Sequence, residues 1–235
     1  MDGDSLVSSF IAEASWDALP VEVQNKARMC LMDNLSATIS GARTRVSRIA
    51  TEFAATCMPG EEATVVLHGS KATTAGAAFA NASAANGLDS DDSARYAYGH
   101  AGAQVFPTAL AVSEARALSG ADLLTALVVG YELAHRMGRC WHDHHEIYQA
   151  CGSWGSVACA AVAAHLLKLD AEQTKNALGI AEYHAPNLPM MRDIAHPAMV
   201  KHGIGWASLT GITAVQLASL GFTGIPTLFS FDQYR

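Results

Sequence analysis

Residues 73–86 constrain the fold most, because alanine stands at Ala75, Ala77, Ala78, Ala80, Ala82, Ala84 and Ala85. Alanine is the strongest helix former and has almost no side chain to pack. Such a segment predicts a helix that neighbouring helices approach closely, ended by Gly87. A second stretch, 153–167, has the same character. It is too short to span a bilayer and carries His165.

The remaining pattern repeats this theme. Asp4 is placed to cap a short helix bearing Leu6, Val7, Phe10 and Ile11. Leu19-Pro20 opens a helix that Gly41 stops, and a third covers 46–57 before Pro59-Gly60. Thr64-Val65-Val66-Leu67 is the one strand signal. Pro107 is read as the start of a helix running to Leu118. Ser119 with Asp122, and Asp170 with Gln173, have the form of capping boxes. The helix after Ser119 runs towards Cys140, and 142–148 reads as a polar interruption. After a proline-rich loop (Pro186, Pro189, Pro197), a last helix covers about 200–220. The expectation is an all-α domain of antiparallel helical hairpins, eight to ten helices with little strand.

Composition narrows the function classes. Of 235 residues half are hydrophobic and 16% charged, and the net charge is -7. With no Lys/Arg cluster, nucleic acid and anionic membranes are excluded as expected partners. The Met-Asp-Gly-Asp opening lacks the basic-then-apolar pattern of a secretory signal. Five cysteines, an odd number, fall mostly in apolar helical patterns and read as reduced thiols of a cytoplasmic protein.

Residues that carry chemistry gather in the interruptions between helices. Asp89, Asp91 and Asp92 precede His100, which sits between Gly99 and Ala101-Gly102. The carboxylates admit three readings: a Mg²⁺ site, a general acid or base, or a solvated loop with a helix cap at Asp89 or Ser93. His142, His144, His145 and Glu146 are the densest set of candidate ligands, but a polar helix end is preferred there over a metal site. Lys201 and His202, after Arg192 and His196, open the last helix. Lys201 suits a substrate carboxylate or a snorkelling surface lysine.

Four stretches together resemble the MmgE/PrpD family, which holds 2-methylcitrate dehydratase, cis-aconitate decarboxylase and an iminodisuccinate epimerase. They are 27–35 with Ser40-Gly41-Ala42, 77–93 ending Asn86-Gly87-Leu88-Asp89-Ser90-Asp91-Asp92-Ser93, 100–114 with Gly130-Tyr131-Glu132, and 199–224 with Met199-Val200-Lys201-His202-Gly203. The resemblance implies an all-α catalytic domain, usually homodimeric, with no metal and no organic cofactor. It implies catalytic roles for Asp89, Ser93, His100 and Lys201. A further family histidine falls near 145–146, where ungapped alignment gives Glu146 and a one-residue shift gives His145. His145 is taken as catalytic, with Asp92, Glu146, Arg192 and His202 binding substrate.

Family members are about twice as long and carry an α+β lid. The resemblance therefore implies that 1–235 is the helical domain alone: a fragment, a remnant, or a subunit with a separate lid partner. The expected activity is a cofactor-independent lyase, a hydro-lyase or carboxy-lyase, acting on a small di- or tricarboxylic acid. Epimerisation by the same proton abstraction, or a non-catalytic helical dimerisation module, stands as the alternative.

Overall fold

The computed structural model describes residues 2–231. Among them are ten α-helices: α1 (Gly3–Glu13), α2 (Val21–Gly41), α3 (Arg45–Cys57), α4 (Thr74–Ala85), α5 (Gly102–Ala115), α6 (Gly120–His144), α7 (Gly152–Leu167), α8 (Ala171–Tyr183), α9 (Met190–Ala195) and α10 (Ile204–Ser219). One antiparallel pair, Ala63–Thr64 with Lys71–Ala72, is the only sheet among the described residues. The all-α expectation holds.

α7 is the axis of the domain. All of its residues except His165 and Leu167 are buried. A helix apolar on every side has to be enclosed by others. α5, α6, α8 and α10 pack around it, and the alanine-rich α4 lies against α5 and α10. Small residues set the spacing. A Cβ added at Gly211 of α10 would lie 2.5 Å from the Cys159 Cβ of α7.

Both capping boxes form: Ser119 with Asp122 at the start of α6, and Asp170 with Gln173 at the start of α8. Other local signals were overridden by distant partners. Asp2, not Asp4, caps α1, accepting the Ser5 N–H at 2.7 Å. Asp4 is buried, and its carboxylate accepts from the Thr227 N–H at 3.1 Å, the Thr227 hydroxyl and the Ser230 hydroxyl. It thus ties α1 to the turn Leu228–Ser230. The expected strand at 64–67 shrinks to Ala63–Thr64. Beyond it the chain turns, with Leu67 at φ 63°, and the Asn81 amide takes over the pairing. Its Oδ1 accepts the Val66 N–H and its Nδ2 donates to the Thr64 carbonyl.

Three corrections shape the site. α5 starts at Gly102, not at Pro107, which lies inside the helix and gives no N–H to the Ala103 carbonyl. The start is set from ten residues upstream, where Asp92 Oδ1 accepts the Gly102 N–H at 3.1 Å. α6 runs on to His144, through part of the expected interruption. α10 begins at Ile204 rather than near 200, because Lys201, His202 and Gly203 have φ of 39°, 56° and 70°. The proline-rich loop holds the short α9. No described helix is long and apolar enough to cross a membrane.

Gly102 offers a direct test of the packing at α5. A Cβ there would lie 2.3 Å from both Asn34 Nδ2 and the Tyr131 hydroxyl oxygen. Gly102→Ala should destabilise the protein by about 1–3 kcal/mol, as overpacking does. Gly120, at the first position of α6, has nothing within 4 Å of the same probe atom. Gly120→Ala should be neutral or stabilising by up to about 1 kcal/mol. Urea unfolding of the two variants measures the contrast; equal stabilities would refute this account of the α5 start.

Candidate functional site

The loop between α4 and α5 sends its three carboxylates in different directions. Asp92 turns towards the inside of the helical layer. It accepts the Gly102 N–H, as above, and a very short hydrogen bond from the Tyr131 hydroxyl. Asn34 of α2 donates to that Tyr131 oxygen at 2.8 Å. Burial raises the pKa of Asp92, and burial beside Asp92 also raises that of Tyr131. The phenol therefore stays a donor to the carboxylate. Asp92 fixes the loop to α2, α5 and α6.

Asp89 and Asp91 turn to the opposite side. The Asn86 side chain, at the end of α4, donates to Asp91 Oδ1 at 2.9 Å and to Asp89 Oδ1 at 3.2 Å. The Asp91 side chain is fully buried, with Oδ2 3.0 Å from His100 Nδ1. That carboxylate raises the His100 pKa above its ordinary value, while partial burial works against it.

The second half of the site comes from the left-handed turn before α10. Successive non-glycine residues with positive φ are strained and persist where surrounding contacts hold them. Here Lys201 Nζ lies 3.3 Å from Asp89 Oδ1 and His202 Nε2 lies 3.5 Å from the same oxygen. His100 Nε2 is 3.9 Å from it. Asp89 itself has φ 56°. Burial disfavours its charge, but Lys201, with His100 and His202, outweighs this and holds its carboxyl below the usual range. The two imidazole rings are nearly parallel, 5.9 Å apart at an interplanar angle of 11°. Asp193 of α9 backs the second ring, with Oδ2 2.8 Å from His202 Nδ1 and accepting the His202 backbone N–H at 3.0 Å.

A cavity of about 270 Å³ opens beside the cluster, lined by Ser93, His100, His202, Tyr148, Cys151 and Met190 among others. Burial pushes the Cys151 thiol up to about 12, so it lines the cavity as a neutral group. A larger cavity of about 550 Å³ lies on the Asp92 side of the loop, by Cys30, Tyr131 and His135. The smaller cavity is the candidate site because both His100 and His202 line it; Lys201 lines a separate cavity of about 240 Å³ with Asn86.

The structure brings together Asp89, His100, Lys201 and His202, and sets Ser93 on the cavity wall. It does not bring in the others. Asp92 is engaged on the far side of the loop. His145 stacks on Trp141 at 4.6 Å, with Nδ1 2.9 Å from the Trp141 carbonyl oxygen, and Glu146 is exposed. Arg192 is exposed on α9, one residue before Asp193. The histidine-rich segment does not converge either: His142 contacts the backbone carbonyls of Gly138 and Gln149. From that segment it is Tyr148 that reaches the cavity, its hydroxyl donating to the Tyr98 carbonyl at 3.1 Å. The partners Asp91, which is buried, and Asp193, which is half-buried, were not foreseen in these roles. Asp193 lies nine residues before His202, a separation with no periodic signal.

Known proteins resemble the chain over most of its length. A cis-aconitate decarboxylase-like protein, oryM, of Aspergillus oryzae is 26% identical over 231 residues, which is 94% of this chain and 48% of that protein. A cis-aconitate decarboxylase of Aspergillus terreus is 26% identical over 93% of this chain and 46% of its own length. The chain thus spans just under half the length of these relatives. The model of the MmgE/PrpD N-terminal domain matches residues 6–233, and the chain belongs to the MmgE/PrpD family.

Proposed function

We propose that this chain carries the acid–base centre of a cofactor-independent lyase for a small di- or tricarboxylic acid. The observation behind the proposal is the meeting of Lys201, His100 and His202 at Asp89 Oδ1, beside a cavity of about 270 Å³. A lysine ammonium and an imidazolium meeting at one oxygen suit a substrate carboxylate. The names of the relatives favour decarboxylation of a cis-aconitate-like acid as the first reaction to test.

The chemistry follows from the charges. In a decarboxylation the C–CO₂⁻ bond breaks, CO₂ leaves, and its electron pair stays on carbon. A neighbouring carboxylate held by Lys201 helps to stabilise that charge. His100, whose pKa Asp91 raises, gives its proton to the carbon when in the imidazolium form. In a dehydration a base instead removes a C–H proton beside a carboxylate, and the imidazolium protonates the departing hydroxyl. His202 suits the opposite proton transfer better than His145, because its ring faces that of His100 while His145 lies on Trp141. Asp89 orients Lys201 and the two rings. The homodimer and a lid supplied by further chain or a partner subunit belong to the same proposal.

Cis-aconitate, citrate and related acids should raise the melting temperature of the protein, since a ligand that binds the folded state stabilises it. Lys201→Ala should weaken that binding about tenfold or more, the scale of a lost charged hydrogen bond. If none of these acids stabilises the protein, or if Lys201→Ala binds them as well as the parent, the reading is wrong.

The pH dependence has a definite sign. With its pKa raised in the folded state, His100 contributes stability that is fully present below the unfolded imidazole value. That stability is lost as pH rises through the folded value. Proton donation by His100 fades over the same interval. Asp91→Asn should therefore move the His100 titration midpoint, followed by proton NMR of the imidazole, to lower pH. An unmoved midpoint in a folded variant would remove Asp91 from this role.

A further inference from the structure

The cluster also has the donor set of a metal site, which neither the family nor the proposed reaction calls for. One ligand atom each of His100, His202 and Asp89 lie within 4.8 Å of one another, and Asp89 Oδ1 is 3.9 Å from His100 Nε2 and 3.5 Å from His202 Nε2. Each imidazole offers the same nitrogen to the centre. Each has its other nitrogen against a carboxylate oxygen: Asp91 at 3.0 Å for His100 and Asp193 at 2.8 Å for His202. Neither ring nitrogen is aligned for a hydrogen bond to that carboxylate, but a carboxylate this close to Nδ1 favours the proton there and so a free Nε2 lone pair in the neutral ring. Metal-binding histidines are commonly supported in this way.

From this geometry we infer that the cluster binds zinc(II) reversibly through His100, His202 and Asp89. Two imidazoles and one carboxylate form a common three-ligand zinc set, with the fourth position open to water or a small ligand. Bonds of about 2.0–2.2 Å place tetrahedral ligands roughly 3.3–3.6 Å apart. The Asp89 separations, 3.5 and 3.9 Å, are already close to that. Both histidines line the cavity of about 270 Å³.

One group opposes the ion. Lys201 Nζ lies 3.3 Å from the Asp89 oxygen and has to swing away when a cation arrives. Its side chain is 27% exposed, so water is within reach. Lys201 thus biases the site towards anions, and removing its charge favours a cation. Zinc binding itself does not depend on the lyase reading. Its consequence does: an ion held by His100 and His202 occupies the groups proposed to move protons, so zinc acts there as an inhibitor.

Calorimetric titration of metal-free protein with zinc chloride, without substrate, tests the site. Cobalt(II), whose visible absorption reports coordination number, serves as a second probe. The expected result is one ion per chain. His202→Asn should abolish it, and Asp193→Asn should weaken it about tenfold, as loss of an outer-sphere partner does. Lys201→Met should bind zinc more tightly, and His142→Gln should bind it unchanged. Absence of zinc binding, retention in His202→Asn, loss in His142→Gln, or no tightening in Lys201→Met overturns the inference. Because Lys201→Met leaves every proposed ligand in place, its effect is readable even if a ligand variant fails to fold. Zinc binding without stabilisation by any of the acids would count against the lyase reading alone; the reverse result would count against the metal site alone.

Discussion

The candidate site depends on a carboxylate that takes no part in it. Asp92 accepts the first N–H of α5 and the Tyr131 hydroxyl of α6, while Asn34 of α2 holds that hydroxyl in turn. One side chain thus satisfies a helix terminus and joins three helices. The cost of burying it is visible in its raised pKa, and the donors around it offset that cost. With Asp92 fixed, the short loop has little freedom. Asp89 and Asp91 can only emerge on its other side, where Asn86 receives them both.

The electrostatics of the cluster follow from unequal burial. Asp91 is sealed under His100 and Asp193 is largely covered beside His202, whereas Asp89 is half exposed. Sealed carboxylates act as fixed supports for the rings, and the exposed one is free to exchange partners. Lys201 and His202 reach Asp89 only through the left-handed turn at 201–203. In a regular helix, adjacent residues point about 100° apart and would not share one oxygen. The strain of that turn is tied directly to the convergence it creates.

How much of this was legible follows the range of the interactions. The alanine-rich α4 and α7 and both capping boxes were readable, because small-residue composition and an N-cap with its third residue are local patterns. The start of α5 was not, because its cap lies ten residues upstream, and Pro107 offered a misleading local signal. Asp4 looked like a cap but pairs with Thr227, across nearly the whole chain. The site behaved likewise. Asp89, His100 and Lys201 could be named from their motifs. Three neighbouring aspartates gave no indication of which would meet Lys201 and the two histidines. The crowded 142–146 segment looked more like a metal site than His100 and His202, which stand a hundred residues apart. Ligand density along a chain records helix polarity, and only folding decides convergence.

That distinction bears on what kind of ligand the site prefers. The same two rings and carboxylate can hold an anion or a cation, because imidazole is a donor when protonated and a ligand when neutral. Buried Asp91 favours the protonated state of His100, and Lys201 adds a fixed positive charge. Both push the centre towards a carboxylic acid. A metal ion has to displace that ammonium and a proton together. On the two proposals, then, electrostatics favours an anion and geometry a zinc ion, and Lys201 is the residue whose charge separates them.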